Sequence, residues 1–276
     1  MRVRALLIGA LALAARADIT DDLRSLVRQS LAGLEQSSKK IADYAFLRRA
    51  ERKEYSSKGE LRSTKSWLKR RELQDGFMVT RLVERDGRPI PESERLQNEQ
   101  TLHKRLAELK ALTPEQLQKR REENRRRERD EDAWLKEFPD ALDYKLVGEE
   151  TLDGRPALIL EATPRPGYRP KNLRARVFEK VRGRVWIDKA DSQLAQAEAE
   201  VFDTVNIGWG VLGRIDKGTR FFIRRKRVAD NTWLPEQETV KFDARMMLVK
   251  SMHQELTTRT WDYRHRTETA AAASAP

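Results

Sequence analysis

Residues 177–203, VFEKVRGRVWIDKADSQLAQAEAEVFD, set the tightest limit on what this chain can fold into. Val181, Val185 and Ile187 recur with charged residues between them. Lys189-Ala190-Asp191-Ser192 supplies a turn, and Ala195, Ala197, Ala199 and Val201 then alternate with Gln196, Glu198 and Glu200. A period of two on both arms marks a pair of strands with one apolar and one charged face. A sheet built this way is antiparallel, with its apolar face covered and its charged face in water.

Other stretches repeat the pattern. Tyr44 and Phe46 lead a strand into the turn at Ser57-Lys58-Gly59, residues 61–73 form the next, and Asp75-Gly76 turns the chain into Phe77-Met78-Val79. Arg85-Asp86-Gly87-Arg88-Pro89 closes this meander. Further on, residues 146–150 and 157–162 flank Asp153-Gly154, and three more strands are expected over 221–228, 236–250 and 253–264.

Helical spacing occurs in two places. Leu23, Leu26, Val27, Leu31 and Leu34 predict an amphipathic helix from Ile19 to about Ser37, with Asp21 and Asp22 in its first turn and its apolar stripe against the sheet. A charged helical insertion occupies 91–139. Leu102, Leu106 and Leu109 keep a stripe, Thr113-Pro114-Glu115 restarts a helix, and 118–132 holds no apolar residue. Over 95–137, 12 Lys and Arg face 10 Asp and Glu, which predicts a solvated helix laced with i,i+4 pairs, or a partly disordered projection, in place of a nucleic-acid arm. Trp134, Leu135 and Phe138 are expected to bring the chain back to the body.

Arg2 and Arg4 precede an apolar run over 5–14, and Ala15-Arg16-Ala17 fits a small-x-small cleavage site. That predicts a signal peptide over 1–17, cut near Ala17, a single domain over 18–269 and a disordered tail over 270–276. The run is too short to span a membrane. With no cysteine in the chain, disulfides, thiolate metal sites and cysteine nucleophiles are excluded. The formal charge is +12, and the chain stays strongly basic without the three leader arginines. In the periplasm, the anionic partners open to such a protein are lipid head groups at a membrane surface, not nucleic acid.

Little in the sequence supports catalysis or a cofactor. His103, His253 and His265 are far apart and show no metal-ligand spacing, and no GxSxG, P-loop or GxGxxG occurs. Asp188 and Asp191 flank a turn and read as turn formers. Large apolar side chains are plentiful on the strands, and a curved sheet over a helix leaves room for a hollow. The candidates for an acyl cavity are Phe46, Trp67, Phe77, Trp186, Phe202, Phe222, Trp233 and Phe242. Burying methylenes yields about 0.8 kcal/mol each, so a fatty chain is the ligand that such a hollow favours. For an anionic head group the candidates are Arg165, Arg169, Lys171, Arg174 and Arg176. Ile207, Trp209, Val211 and Leu212, in a glycine-rich apolar segment, are candidates for a lid or a membrane contact.

Taken together, the leader, the amphipathic helix, the meander YAFLRRAERKEYSSKGELRS, the phrase GRVWIDKADSQLAQAEAE and the alternating C-terminal strands resemble the LolA-like outer-membrane lipoprotein-sorting proteins, over most of 41–264. The resemblance implies an unclosed antiparallel β-barrel of LolA/LppX type packed around a helix. It also implies a cavity for lipid or lipoprotein acyl chains in a periplasmic, non-enzymatic carrier or sensor. The charged insertion and the heavy arginine content depart from that pattern. They keep open a second reading, an envelope scaffold that docks a partner through the insertion.

Overall fold

In the computed structural model, which describes residues 3–131, 133–207, 213–246 and 250–267, three hairpins are set by Asp-Gly pairs. Asp75-Gly76, Asp86-Gly87 and Asp153-Gly154 hold both residues at positive φ, at 51° and 81°, 53° and 75°, and 49° and 78°. Such pairs suit the tight turn whose twist matches that of two flanking strands.

Helix α1 (Val3–Lys40) is followed by the meander β1 (Tyr44–Tyr55), β2 (Leu61–Gln74), β3 (Phe77–Arg85) and the short β4 (Arg88–Pro89). The insertion contributes α2 (Glu92–Lys110) and α3 (Pro114–Glu131), and returns through a 3-10 turn at Ala133–Glu137 and α4 (Phe138–Ala141). Strands β5 (Leu142–Leu152), β6 (Arg155–Pro164), β7 (Val181–Asp188) and β8 (Leu194–Val201) come next, then the short β9 (Val205–Ile207) and β10 (Gly213–Ile215). The last three are β11 (Arg220–Ala229), β12 (Thr232–Met246) and β13 (Lys250–His265).

Strand order is β4-β3-β2-β1-β13-β12-β11-β8-β7-β6-β5, with β10 paired to β12 and β9 to β10. Every recorded pairing is antiparallel. The first and last strands join the two halves, and β4 and β5 stand at opposite ends of the order without pairing. The result is an unclosed wall, as the resemblance implies, with the antiparallel pairing that the alternating sequence predicts.

Helix α1 covers one face of the β5–β8 end. Val27 is buried with Leu142, Leu160, Val185, Ile187 and Val201. The helix meets the sheet through Arg24, Val27, Ser30, Gly33 and Ser37, and its small residues permit close approach: a Cβ on Gly33 would lie 2.2 Å from the Gln193 amide nitrogen. Leu31 and Leu34, expected in the sheet-facing stripe, are only half-buried. The helix continues to Lys40, beyond the expected end at Ser37. Residues 174–180 also depart from the strand reading. They form a 3-10 turn in which Ala175, Val177 and Phe178 are buried, Phe178 stacking on Trp134 at 5.2 Å. Packing on the returning insertion overrides the alternation, and the strand begins at Val181.

The two insertion helices differ. In α2, Leu106 is buried, and Glu94, Glu99 and Lys110 pair with Arg85, Arg81 and Asp75 at 2.6, 2.6 and 3.0 Å, so the helix lies antiparallel along β3. It covers a strand that only the two residues of β4 pair on that side, one way an exposed sheet edge is protected. In α3 every described side chain except Leu117 is exposed, as its charge run predicts.

Candidate functional site

Register decides which aromatic side chains can share a cavity, because neighbours along a strand point to opposite faces. Starting from Leu160 and Val185 under α1, successive register partners Ala197, Ile223, Glu238, Thr258, Ala50 and Trp67 lead across the sheet on the same face. Trp67 therefore shares the helix-covered face but lies six strands from Val185, beneath the Arg52 guanidinium at 5.3 Å. Phe46 shares that face within a second cluster, with Tyr44, Leu234 and Tyr263, and with Arg48 4.8 Å above its ring. Phe242 is half-buried there, opposite Gln254.

The other five candidates lie elsewhere. Trp186 alternates with Val185 and Ile187 and so belongs to the opposite face, where its Nε1 donates to Glu150 at 2.7 Å. Phe222 lies between Glu198 and Thr239 on that charged face, and Phe202 is covered by Arg182 at 5.8 Å. Phe77 sits beside the β2–β3 turn, opposite Gln74. Trp233 is buried beside α1, its backbone N–H donating to Ser37 Oγ at 3.4 Å. The eight do not converge on one hollow. Of the four lid candidates, Trp209, Val211 and Leu212 lie outside the described residues, and Ile207 ends β9.

Asp188 and Asp191 do form a turn, and more. Asp188 Oδ1 accepts the N–H groups of Ala190 and Asp191 at 3.0 and 2.7 Å, while Arg155 grips both its carboxylate oxygens at 2.7 and 2.8 Å. Asp191 accepts from Arg227 Nε and Trp233 Nε1, both at 3.0 Å. Burial pushes the Asp188 carboxyl upward, but the hydrogen bonds from Arg155 and from the turn outweigh it and leave the group below the usual carboxylate range. This hub closes the core. The histidines are dispersed, with His103 exposed on α2 and His253 and His265 near opposite ends of β13, and the described residues include no group of three or more His, Asp or Glu that could hold a metal.

A groove of about 340 Å³ with a mostly apolar lining lies between α1 and the returning insertion. Leu31, Ala32 and Leu34 line one side, and Leu135 and Pro139 the other. Its rim carries Arg28, Lys39, Arg125 and Lys136 against Glu35. Arg28 is hydrogen-bonded to Asp140, and Lys39 pairs with Glu35 at 3.1 Å. Among the described residues Arg125 and Lys136 have no acidic partner. The helical spacing of Leu31 and Leu34 was visible in the sequence, but their distance in the chain from Leu135 hid the groove.

One residue from Lys136, Glu137 organises the basic loop. Its carboxylate accepts from Tyr168 Oη at 2.6 Å, from the Lys171 backbone N–H at 2.9 Å and from the Asn172 backbone N–H at 2.8 Å. Tyr168 is driven above its ordinary range by burial and by that carboxylate. Arg165, Arg169, Lys171, Arg174 and Arg176 are all exposed on the loop and the turn after it. Arg165 and Arg176 have distant acidic neighbours, Asp143 at 4.0 Å and Glu179 at 3.8 Å.

No family model matches the chain, and no curated protein matches it. Solved structures do. One described as an outer membrane lipoprotein-sorting protein domain, from Vibrio parahaemolyticus, is 11% identical with a TM-score of 0.34, covering 86% of this chain and 92% of that one. A LolA superfamily protein from Nitrosomonas europaea is 10% identical with a TM-score of 0.28, covering 86% and 93%. A Pseudomonas aeruginosa MucA/MucB complex is matched at 14% identity and a TM-score of 0.21, covering 87% and 95%. Likenesses at these TM-scores carry no weight for function.

Proposed function

We propose that this chain is a non-enzymatic protein of the periplasm that carries or senses a lipid or lipoprotein by holding an acyl chain. The site is the groove between α1 and the returning insertion, and no cofactor is needed. The observation that supports this most is the groove's make-up, an apolar lining under a rim of four cations and one acid. Its 340 Å³ lies at the small end of ligand pockets, which span about 300–1,000 Å³. A methylene takes up about the share of a liquid water, roughly 30 Å³, so the groove has room for about ten of them. At about 0.8 kcal/mol each they contribute on the order of 8 kcal/mol before ordering costs. The basic loop is latched to Glu137, the neighbour of Lys136, and adds attraction to an anionic surface, about 1 kcal/mol per residue near it.

Native mass spectrometry of the exported protein tests this. Acyl lipid is expected to copurify and to be lost from Ala32→Trp, which fills the groove from an exposed helix position. Absence of acyl lipid from the wild-type protein, combined with no uptake of added lipid, sinks the proposal.

The exposure of α3 favours a second reading, an envelope scaffold that docks a partner through this helix. Deleting 118–132 would then abolish capture of that partner and leave the fold intact.

A further inference from the structure

Resting on the acyl-chain reading, we infer that the groove takes a monoacyl phospholipid with a net negative head, and that Arg125 and Lys136 are the residues that select it. Two observations carry this. The first is size: about 340 Å³ accommodates one chain of roughly ten methylenes. The second is charge. Two of the rim cations are already matched, Arg28 by Asp140 and Lys39 by Glu35. Arg125 and Lys136 come from different elements, α3 and the 3-10 turn, and reach the same groove without an acidic partner among the described residues. A zwitterionic head offers a phosphate as well, but its own cation offsets that charge and is repelled by the pair. An anionic phosphate offers several acceptor oxygens to a guanidinium and an ammonium together.

The arrangement also assigns α3 a role that its sequence does not suggest. Its charges nearly cancel, yet among its described side chains Arg125 reaches the groove. The helix therefore supplies half of the head-group seat.

The test uses the full exported chain, stripped of lipid, and calorimetric titration with monomeric lauroyl lysophosphatidylglycerol, lauroyl lysophosphatidylcholine and dilauroyl phosphatidylglycerol. The anionic monoacyl lipid is expected to bind about tenfold more tightly than the zwitterionic one, the scale of two partly solvated cations. Arg125→Ala with Lys136→Ala should erase that preference, weakening the anionic lipid more than the zwitterionic one. Both side chains are exposed, and circular dichroism checks that the double variant folds. Added salt should shrink the preference in the wild type, as screening requires. Equal affinity for the two monoacyl lipids, or tighter binding of the diacyl lipid, overturns the inference and leaves the acyl-chain reading standing. Failure of all three lipids to bind overturns both.

Discussion

The β7–β8 hairpin shows two faces made from one alternating sequence and stabilised by different physics. On the face under α1, Val181, Val185, Ile187 and Val201 are buried, with Gly183 among them. On the other, Arg182, Arg184, Glu198 and Glu200 meet water around Trp186. Arginine–carboxylate pairs occur at both the tip and the outer face. At the tip, Asp188 is 1% exposed and gripped on both oxygens by Arg155. On the outer face, Glu200 stands 3.7 Å from Arg182 and 4.0 Å from Arg220, all of them partly solvated. The two cases differ in access to water and in geometry, since Asp188 is held by a two-oxygen arginine grip and two turn N–H groups and Glu200 only by long ion pairs.

The largest effect is expected at Gly183. A Cβ there would lie 2.0 Å from the Glu198 carbonyl oxygen and 2.8 Å from Ala199 Cα, both backbone atoms of the paired strand. Gly183→Val should cost upwards of about 4 kcal/mol or prevent folding altogether, which soluble yield and denaturant unfolding will read. Wild-type stability in this variant would mean that the two strands are not so closely paired there.

Next comes Asp188. Removing it leaves two turn N–H groups without their acceptor and Arg155 with only Asp191, 3.2 Å away, so Asp188→Ala should cost roughly 2–4 kcal/mol. The acid limb gives an independent reading. Its folded carboxyl lies below the ordinary range, so its contribution is complete above the unfolded value of about 3.9 and disappears as pH falls through the lower folded value. Wild-type melting temperature should therefore fall over that acid window. Asp188→Asn should be less stable at neutral pH and show a flatter acid limb, whereas parallel curves would remove Asp188 from this role.

The turns and the alternating strands were legible in the sequence because each rests on local chemistry. An Asp-Gly pair tolerates the positive φ that a two-residue turn demands, and Ala195 to Val201 alternate without interruption. Bulges are what local reading misses. Register shifts at Ala45/Leu47, Glu54/Tyr55, Leu68/Lys69 and Trp186/Ile187 change which side chains line up between strands. Trp186 looked like a core residue because it is large and apolar, yet it is buried on the charged face with its indole N–H on Glu150. The leucine stripe of α2 already set it apart from α3, but the pairing of Glu99 with Arg81 that holds the helix along β3 had no local signal. The groove was the least legible feature, since it joins Leu31 to Leu135 through an insertion whose path no local pattern specifies.

The smallest effect should be found at Glu200, where the comparison is sharpest. Its two arginine partners are 61% and 68% exposed, so water already solvates most of what the pairs would gain, and each long side chain loses rotamer freedom in forming them. Glu200→Ala is expected to shift stability by no more than about 0.5 kcal/mol, with the change fading as salt is raised. Measured beside Asp188→Ala under the same conditions, it marks the exposed end of a scale whose other end combines burial, a two-oxygen arginine grip and two turn N–H bonds. A loss at Glu200 as large as that at Asp188 would show that the outer face is shielded from solvent, and would direct the search for a partner to that charged face rather than to the groove.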